Sequence, residues 1–328
     1  MAGPHPAVAA IRLAVRQSLS DLPKGSLVMV ACSGGPDSLA LAAGTAFTAP
    51  RLGLMAGALC VDHALQAGSD EVAEAAAQAC RAMGLAPVSV LTASVAGGGN
   101  LEAAAREARY AALMAAAETE RAAAVMLGHT LDDQAETVLL AMGRGAGLTA
   151  LAGMTSRRGL LRRPLLGITR AQTLQACQAQ ELEPWHDPMN LIDGPVFSAR
   201  ARLRQRVLPE LEQSLGGGVA AALARTAQQV AADLAFLDDA ASQLFLQVTK
   251  DGQVDAKALA AAAPALRHRA LKLAALHLGA DGSALTAAHV KALDDLVVNW
   301  HGQGPTDLPG GLRVGRECGK LEALPLKR

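Results

Sequence analysis

Short continuous apolar runs alternate with Ala- and Leu-rich stretches of helical period through the first half of the chain. Residues 7–20 repeat apolar positions at about 3.6-residue spacing and predict an opening helix. Leu27 to Cys32 is an unbroken apolar run, the form expected of a strand covered on both faces, and a glycine turn and a helix from Asp37 follow it. The unit then recurs. Strands are predicted over 54–61, 88–92 and 123–127, and helices over 70–83, from an Asn100 N-cap to 118, and over 131–142. Regular strand–helix alternation predicts an α/β domain built on a parallel sheet, with ligands at the carboxyl ends of the strands. Those ends carry Ser33, Asp62 and His129.

Beyond the alternation the pattern changes. Glycines cluster over 143–159, a helix is predicted over 169–181, and 184–197 is irregular, with three prolines. Residues 198–213 read as a basic helix interrupted near Pro209, and the run Gly216-Gly217-Gly218 marks a boundary. Three further helices are predicted over 219–249, 255–278 and 286–299, with a turn at Leu308-Pro309-Gly310-Gly311 that strands could flank. The predicted domains are therefore 1–215, α/β, and 216–328, mainly helical.

Composition narrows the chemistry. The chain has 328 residues, 51% hydrophobic and 18% charged, which excludes wholesale disorder. Aromatics are only 2%, too few for a base-stacking platform. Thirty basic and thirty acidic residues cancel, but unevenly: 157–206 carries a net +5 and 70–136 a net −6. Five dispersed cysteines without a Cys-x-x-Cys pair predict neither zinc, an iron–sulfur cluster nor disulfides. With no signal-peptide pattern and no apolar run of spanning length, a cytoplasmic protein off the membrane is expected.

Two motifs sit where the fold would place a site. Ser33-Gly34-Gly35-Pro36-Asp37-Ser38 joins a strand to a helix. Its glycines allow close approach to a phosphate, and the helix start offers N–H groups and partial positive charge. Asp37 conflicts with an anion cradle unless a cation such as Mg²⁺ mediates. The loop lacks the Gly-Lys-Ser/Thr of a Walker A motif. Gly128-His129-Thr130-Leu131-Asp132-Asp133-Gln134-Ala135-Glu136-Thr137 likewise follows a strand. Asp133 and Glu136 share a helix face, and capping by Thr130 accounts for acids in a first turn but not for His129. Arg106 and Arg109, three apart on a helix, either contact an anion or pair with surface glutamates. Arg200, Arg202, Arg204 and Arg206 fall on alternate residues, which on a helix fans charge toward a phosphate backbone or simply toward solvent.

The Ser-Gly-Gly-x-Asp-Ser loop resembles the pyrophosphate loop of the N-type ATP pyrophosphatases. Its companions run in one order: Val61-Asp62-His63, Glu102…Arg106…Arg109-Tyr110, Gly128-His129…Asp133-Gln134…Glu136-Thr137, Arg144-Gly145…Gly153-Met154, Arg163-Pro164-Leu165-Leu166 and Trp185…Asp187-Pro188…Asn190…Phe197…Arg200…Arg204. Over residues 26–215 that series resembles the bacterial tRNA(Ile)-lysidine synthetases. The resemblance implies a PP-loop domain of the adenine nucleotide α-hydrolase-like (HUP) class followed by a mainly helical tRNA-binding or substrate domain. It implies a ligase that uses ATP to adenylate C2 of the wobble cytidine of tRNA(Ile) with a CAU anticodon. L-lysine then displaces AMP and forms lysidine, so that the tRNA decodes AUA.

Carried over residue by residue, Ser33, Gly34, Gly35, Pro36, Asp37, Ser38, Asp62 and His63 bind ATP. Asp37 and Asp133 hold Mg²⁺, and Asp37, His129 and Asp133 are catalytic. Arg109, Asp133 and Glu136 bind lysine, and Arg163, Arg200 and Arg204 bind tRNA. A homodimer is among the expected assemblies. Thr130, Met189 and Ala201 depart from residues common in that family. The alternatives are a PP-loop tRNA thiolase, which would need a cysteine pair, a nucleotide-binding module without activity, and an amidating synthetase, which would need an ammonia source.

Overall fold

The computed structural model describes residues 3–62, 68–93, 101–185 and 199–324. They form two compact units, 1–230 and 231–328. In the first, helix α1 (Pro6–Leu19) leads into β1 (Leu27–Ala31), α2 (Pro36–Thr48), β2 (Met55–Asp62), α3 (Ser69–Ala82), β3 (Val88–Thr92), α4 (Leu101–Thr119), β4 (Ala124–Leu127) and α5 (Leu131–Gly143). The short α6 (Leu148–Leu151), β5 (Arg157–Arg158) and β6 (Leu161–Arg162) precede α7 (Arg170–Gln178). The sheet order is β3-β2-β1-β4-β6-β5, parallel except for the β5–β6 hairpin. This is the predicted α/β architecture.

The burial pattern explains why the apolar runs become strands. Val28, Met29 and Val30 of β1 are fully buried, and so are Ala124, Val125 and Met126 of β4. Both strands are covered on two faces. Val28 and Val30 pack in the cluster formed with α1 and α2, and Met29 and Val125 pack opposite it with Leu113 and Ala117 of α4. Burying such side chains stabilises the sheet by about 1.5–3 kcal/mol each. Since β1 and β4 are neighbours, their carboxyl ends deliver Ser33 and His129 side by side.

The predicted basic helix is present but altered. It comprises α8 (Ala199–Arg202), a π-helical turn over Leu203–Val207, and α9 (Leu208–Leu215). The Leu208 N–H reaches the Leu203 carbonyl, five residues back. Pro209 has no N–H, and its ring crowds the carbonyl four residues earlier, which favours the wider turn. The glycine run separates α9 from α10 (Val219–Val248), and the two compact units divide within α10.

The second unit is helical with a small antiparallel sheet. Strands β7 (Thr249–Lys250) and β8 (Gln253–Asp255) lead to α11 (Ala256–Ala261), α12 (Pro264–His277) and α13 (Ala287–Val298). Then come β9 (Thr306–Leu308), β10 (Leu312–Glu317) and β11 (Lys320–Leu324), in the order β7-β8-β11-β10-β9. The single helix expected over 255–278 is two helices, because Ala262 is extended before Pro264 opens α12. Strands do flank the 308–311 turn. Among the described residues no helix is long and apolar enough to cross a membrane.

Candidate active site

The first loop is folded around its own serines. Ser38, buried in the first turn of α2, donates its hydroxyl to the Gly35 carbonyl at 2.9 Å and accepts from the Ser33 N–H at 3.2 Å. The Ser33 and Ser38 hydroxyls lie 3.3 Å apart. Gly34 takes φ +82°, a region where a side chain is strained, and its carbonyl accepts from the Trp185 N–H. Gly35 caps α2 without any side-chain hydrogen bond and Pro36 opens it, so the helix start faces the loop as an anion-binding terminus.

The second loop lies against the first. A Cβ placed on Gly128 would stand 3.2 Å from the Asp37 carbonyl carbon and oxygen and from the Ser38 Cα. Only glycine lets the end of β4 approach the backbone of α2 so closely. Thr130 then caps α5 in a reciprocal box with Asp133. Asp133 uses its two oxygens differently. Oδ2 accepts from the Thr130 N–H and hydroxyl at 2.8 and 2.9 Å, and Oδ1 faces Arg170 and Arg204 at 2.8 and 3.4 Å. The one residue thus both caps α5 and faces two arginines.

Asp37 is not an exposed loop carboxylate. It is half-buried, accepts from the Thr173 hydroxyl, and lies 3.4 Å from the Arg170 Nε. Burial, with a contribution from the Asp133 charge, pushes its carboxyl above the ordinary range. Burial works the same way on Asp133, but Arg170, the Thr130 N–H and Arg204 outweigh it and hold that carboxyl low. Glu136 is fully buried and carries Arg204 at 2.8 and 3.2 Å, Arg170 at 3.6 Å and Arg200 at 3.9 Å.

Arg170 and Thr173 were missed in the sequence. Arg170 bridges Asp37, Asp133 and Glu136, and its backbone N–H donates to Asp132 at 2.8 Å. No local motif surrounds it; its signal is only a basic residue after a capping threonine at the start of α7. Arg204 differs from the fanned-out picture, since the π-turn leaves it on Glu136 and Asp133. Arg163 is buried at 7% exposure, after β6. Arg109 is half-buried on α4, and burial lowers its pKa. Asp62 ends β2 and accepts from the Ser69 hydroxyl at 2.5 Å. His63, Asn100 and the 186–198 stretch lie outside the described residues.

His129 stands at the end of β4, with its Nδ1 buried and unpartnered. Burial pushes its pKa down to about 4, against the pull of Asp133 and with the push of Arg163, Arg109 and Arg106, so it is neutral near pH 7. Gln134 serves the scaffold. It exchanges hydrogen bonds with the Met154 backbone at 2.7 and 3.0 Å and pins the glycine-rich stretch.

The arrangement offers an anion the α2 terminus, and Asp133 and Glu136 already face the cationic side chains of Arg170 and Arg204. Among the described residues no cluster of three or more His, Cys, Asp or Glu could hold a metal ion. Asp37 and Asp133 nonetheless fit Mg²⁺, which takes one or two carboxylates alongside phosphate oxygens and water. Both are hard donors, and Arg170, 3.4 Å from one and 2.8 Å from the other, shows that a cation is accommodated between them.

Comparison with known proteins agrees with this geometry. A PP-loop domain model matches residues 9–211, and a TilS substrate binding domain model matches 255–321. A tRNA(Ile)-lysidine synthase of Salinispora tropica is 54% identical over 330 residues, 99% of this chain and 98% of the relative. Those of Thermobifida fusca and Streptomyces coelicolor are 50% and 47% identical, covering 98% and 97% of this chain and 98% of each relative. Among solved structures, the U34-tRNA thiolase NcsA of Methanococcus maripaludis, with its [4Fe-4S] cluster, superposes with TM-score 0.58 at 18% identity. That match covers 69% of this chain and 78% of that one, a likeness of fold alone.

Proposed function

The chain belongs to the tRNA(Ile)-lysidine synthase family, and from that premise we propose how its residues divide the work. It is an ATP-using ligase that modifies tRNA. The reaction adenylates C2 of the wobble cytidine of the CAU-anticodon tRNA(Ile), and L-lysine then replaces AMP. The observation that carries the assignment of residues is the Gly128 contact, which brings the serine loop and the Asp133–Glu136 face into one crevice.

In this reading Ser33, Ser38 and the N–H groups at the α2 start hold the β- and γ-phosphates that leave as pyrophosphate. Asp37 and Asp133 would hold Mg²⁺, which neutralises phosphate charge when bound. Neutral His129 offers a ring hydrogen bond to the reacting phosphate without adding charge. Glu136 and Asp133 grip the lysine α-ammonium, so lysine takes the place Arg204 holds on them, and Arg109 meets its carboxylate. The ε-amine is thereby aimed at the activated carbon. Positioning and preorganised electrostatics supply most of the acceleration.

The test is incubation with ATP, radiolabelled lysine and total tRNA, with and without tRNA(Ile). Lysine incorporation that requires tRNA(Ile), with a mass gain of lysine less water, is expected. An oxygen-to-sulfur mass change would favour the thiolase reading. Arg200 supports tRNA contact through its charge; it stands 3.9 Å from Glu136 against 2.8 Å for Arg204, so replacing Arg200 disturbs that carboxylate less and is the cleaner test of tRNA binding.

A further inference from the structure

Four charged residues among those described are buried: Glu136, Arg162, Arg163 and Arg267. Three have an opposite charge. Glu136 carries Arg204 and Arg170, Arg162 pairs with Asp21, and Arg267 pairs with Asp294. Arg163 has no carboxylate partner among the described residues. Its Nη1 donates to the Thr155 carbonyl at 2.9 Å, and its Nε has no partner. A guanidinium cannot shed its proton to escape burial, so an unpaired one is costly until an anion arrives.

The surroundings sharpen this. Arg163 directly follows β6, which pairs in parallel with β4 at Met126 and Arg162, so it stands beside the strand end that carries His129, whose Nδ1 is also buried without a hydrogen-bond partner. Tyr110 of α4 packs in the cluster that holds Leu127 at that same strand end. Arg106 is propped on Tyr110, with its Nη2 3.3 Å from the phenol oxygen and its guanidinium carbon 5.1 Å from the ring centroid. Both oxygens of Asp133, which opens the helix after His129, are already engaged, by Thr130 and by Arg170 and Arg204. Among the described residues Arg163, Arg109 and Arg106 pair with no carboxylate, so positive charge is in excess there.

We propose that Arg163 and Arg106, beside the imidazole of His129, form a seat for one phosphate-ester anion. The choice of anion rests on the lysidine-synthase reading. There the pyrophosphate goes to the serine loop and the lysine carboxylate to Arg109, which leaves the phosphate esters without a cationic side chain of their own at this end. Two sources share that chemistry: the α-phosphate of ATP, which becomes the transferred adenylyl group, and the backbone phosphate beside the wobble nucleotide.

Full-length Arg163→Met, Arg163→Lys and Arg106→Gln variants separate them. ATP affinity is measured by titration without tRNA, and tRNA affinity at several salt concentrations without ATP. Losing one charge-assisted contact predicts about a ten-fold or greater loss for one ligand in Arg163→Met. A smaller loss for the same ligand is expected in Arg106→Gln, and partial recovery in Arg163→Lys. Weakened ATP binding assigns the seat to the α-phosphate. Weakened tRNA binding, with the log–log salt slope shallower by about one, assigns it to the tRNA backbone. Wild-type affinity for both ligands in Arg163→Met and Arg106→Gln overturns the proposal. If Arg163→Met does not fold, Arg106→Gln, at an exposed position, decides alone by the same criteria. Failure of the lysidine-synthase reading is a different result: wild-type chain that forms no lysidine.

Discussion

Replacing Asp37 by asparagine separates catalysis from stability at one atom. In the folded chain Asp37 Oδ1 accepts from the Thr173 hydroxyl, and Oδ2 lies 3.4 Å from Arg170. An amide oxygen can keep the first contact. Arg170 loses one ion pair but keeps Asp133 at 2.8 Å, Glu136 at 3.6 Å and the bond from its N–H to Asp132. Burial, then repulsion from Asp133, raises the folded-state pKa of Asp37. The folded chain therefore binds this proton more readily than the unfolded chain. The contribution of Asp37 to stability falls as pH rises through that window and is lowest at neutral pH. A neutral side chain avoids this cost, so Asp37→Asn should change stability by no more than about 1 kcal/mol. Catalysis loses a preorganised charge at the transferring phosphate. Losses of that kind are about 100- to 1,000-fold, or about 3–4 kcal/mol of barrier. The assay is AMP release from ATP, lysine and tRNA(Ile) at pH 7.5, beside urea unfolding of the same preparations. Wild-type AMP release by Asp37→Asn would refute the carboxylate's role. A large loss of stability would instead show that Asp37 is chiefly a structural partner of Arg170.

Three further outcomes are expected. Gly128→Ala puts a methyl 3.2 Å from backbone atoms of Asp37 and Ser38, so thermal unfolding should report about 1–3 kcal/mol of destabilisation, with a raised KM for ATP. Glu136→Gln leaves Arg204 and Arg170 with one fewer buried partner; urea unfolding should show a loss of about 3–5 kcal/mol, and the KM for lysine should rise more than that for ATP. His129, held near 4 chiefly by burial, stays neutral in the folded chain while the unfolded chain protonates it below about 6.5. Its contribution is thus intact above pH 6.5 and lost as pH falls toward 4, by about 3 kcal/mol at most. His129→Asn should flatten that part of the pH–stability curve measured by chemical unfolding.

Local signals carried a large part of the site. The serine loop was legible because strand, glycine turn and helix start are contiguous, and Asp133 and Glu136 because three residues on a helix share a face. Strands β1 to β4 were legible because apolar residues predominate in each, whereas β6, parallel to β4 but two residues long, was not. The short strands β7 and β8 were not, because two or three residues carry no period. Splitting α11 from α12 needed Pro264 to outweigh a long alanine-rich pattern.

Sequence alone determined the family, whose motifs are built from near neighbours and come in one order, and the family resemblance in turn implied the reaction class. It also determined the parallel sheet, which follows from strand–helix alternation and the handedness of its crossovers. Only the tertiary structure decided which cations meet those acids. Arg170 is 133 residues from Asp37 and 37 from Asp133, and Arg204 is 68 from Glu136. Contacts at such separations are set by how β1, β4, α5 and α7 pack, and no local spacing encodes that packing. The same holds for Arg163, whose burial without a carboxylate partner among the described residues is visible only once the chain has closed around it.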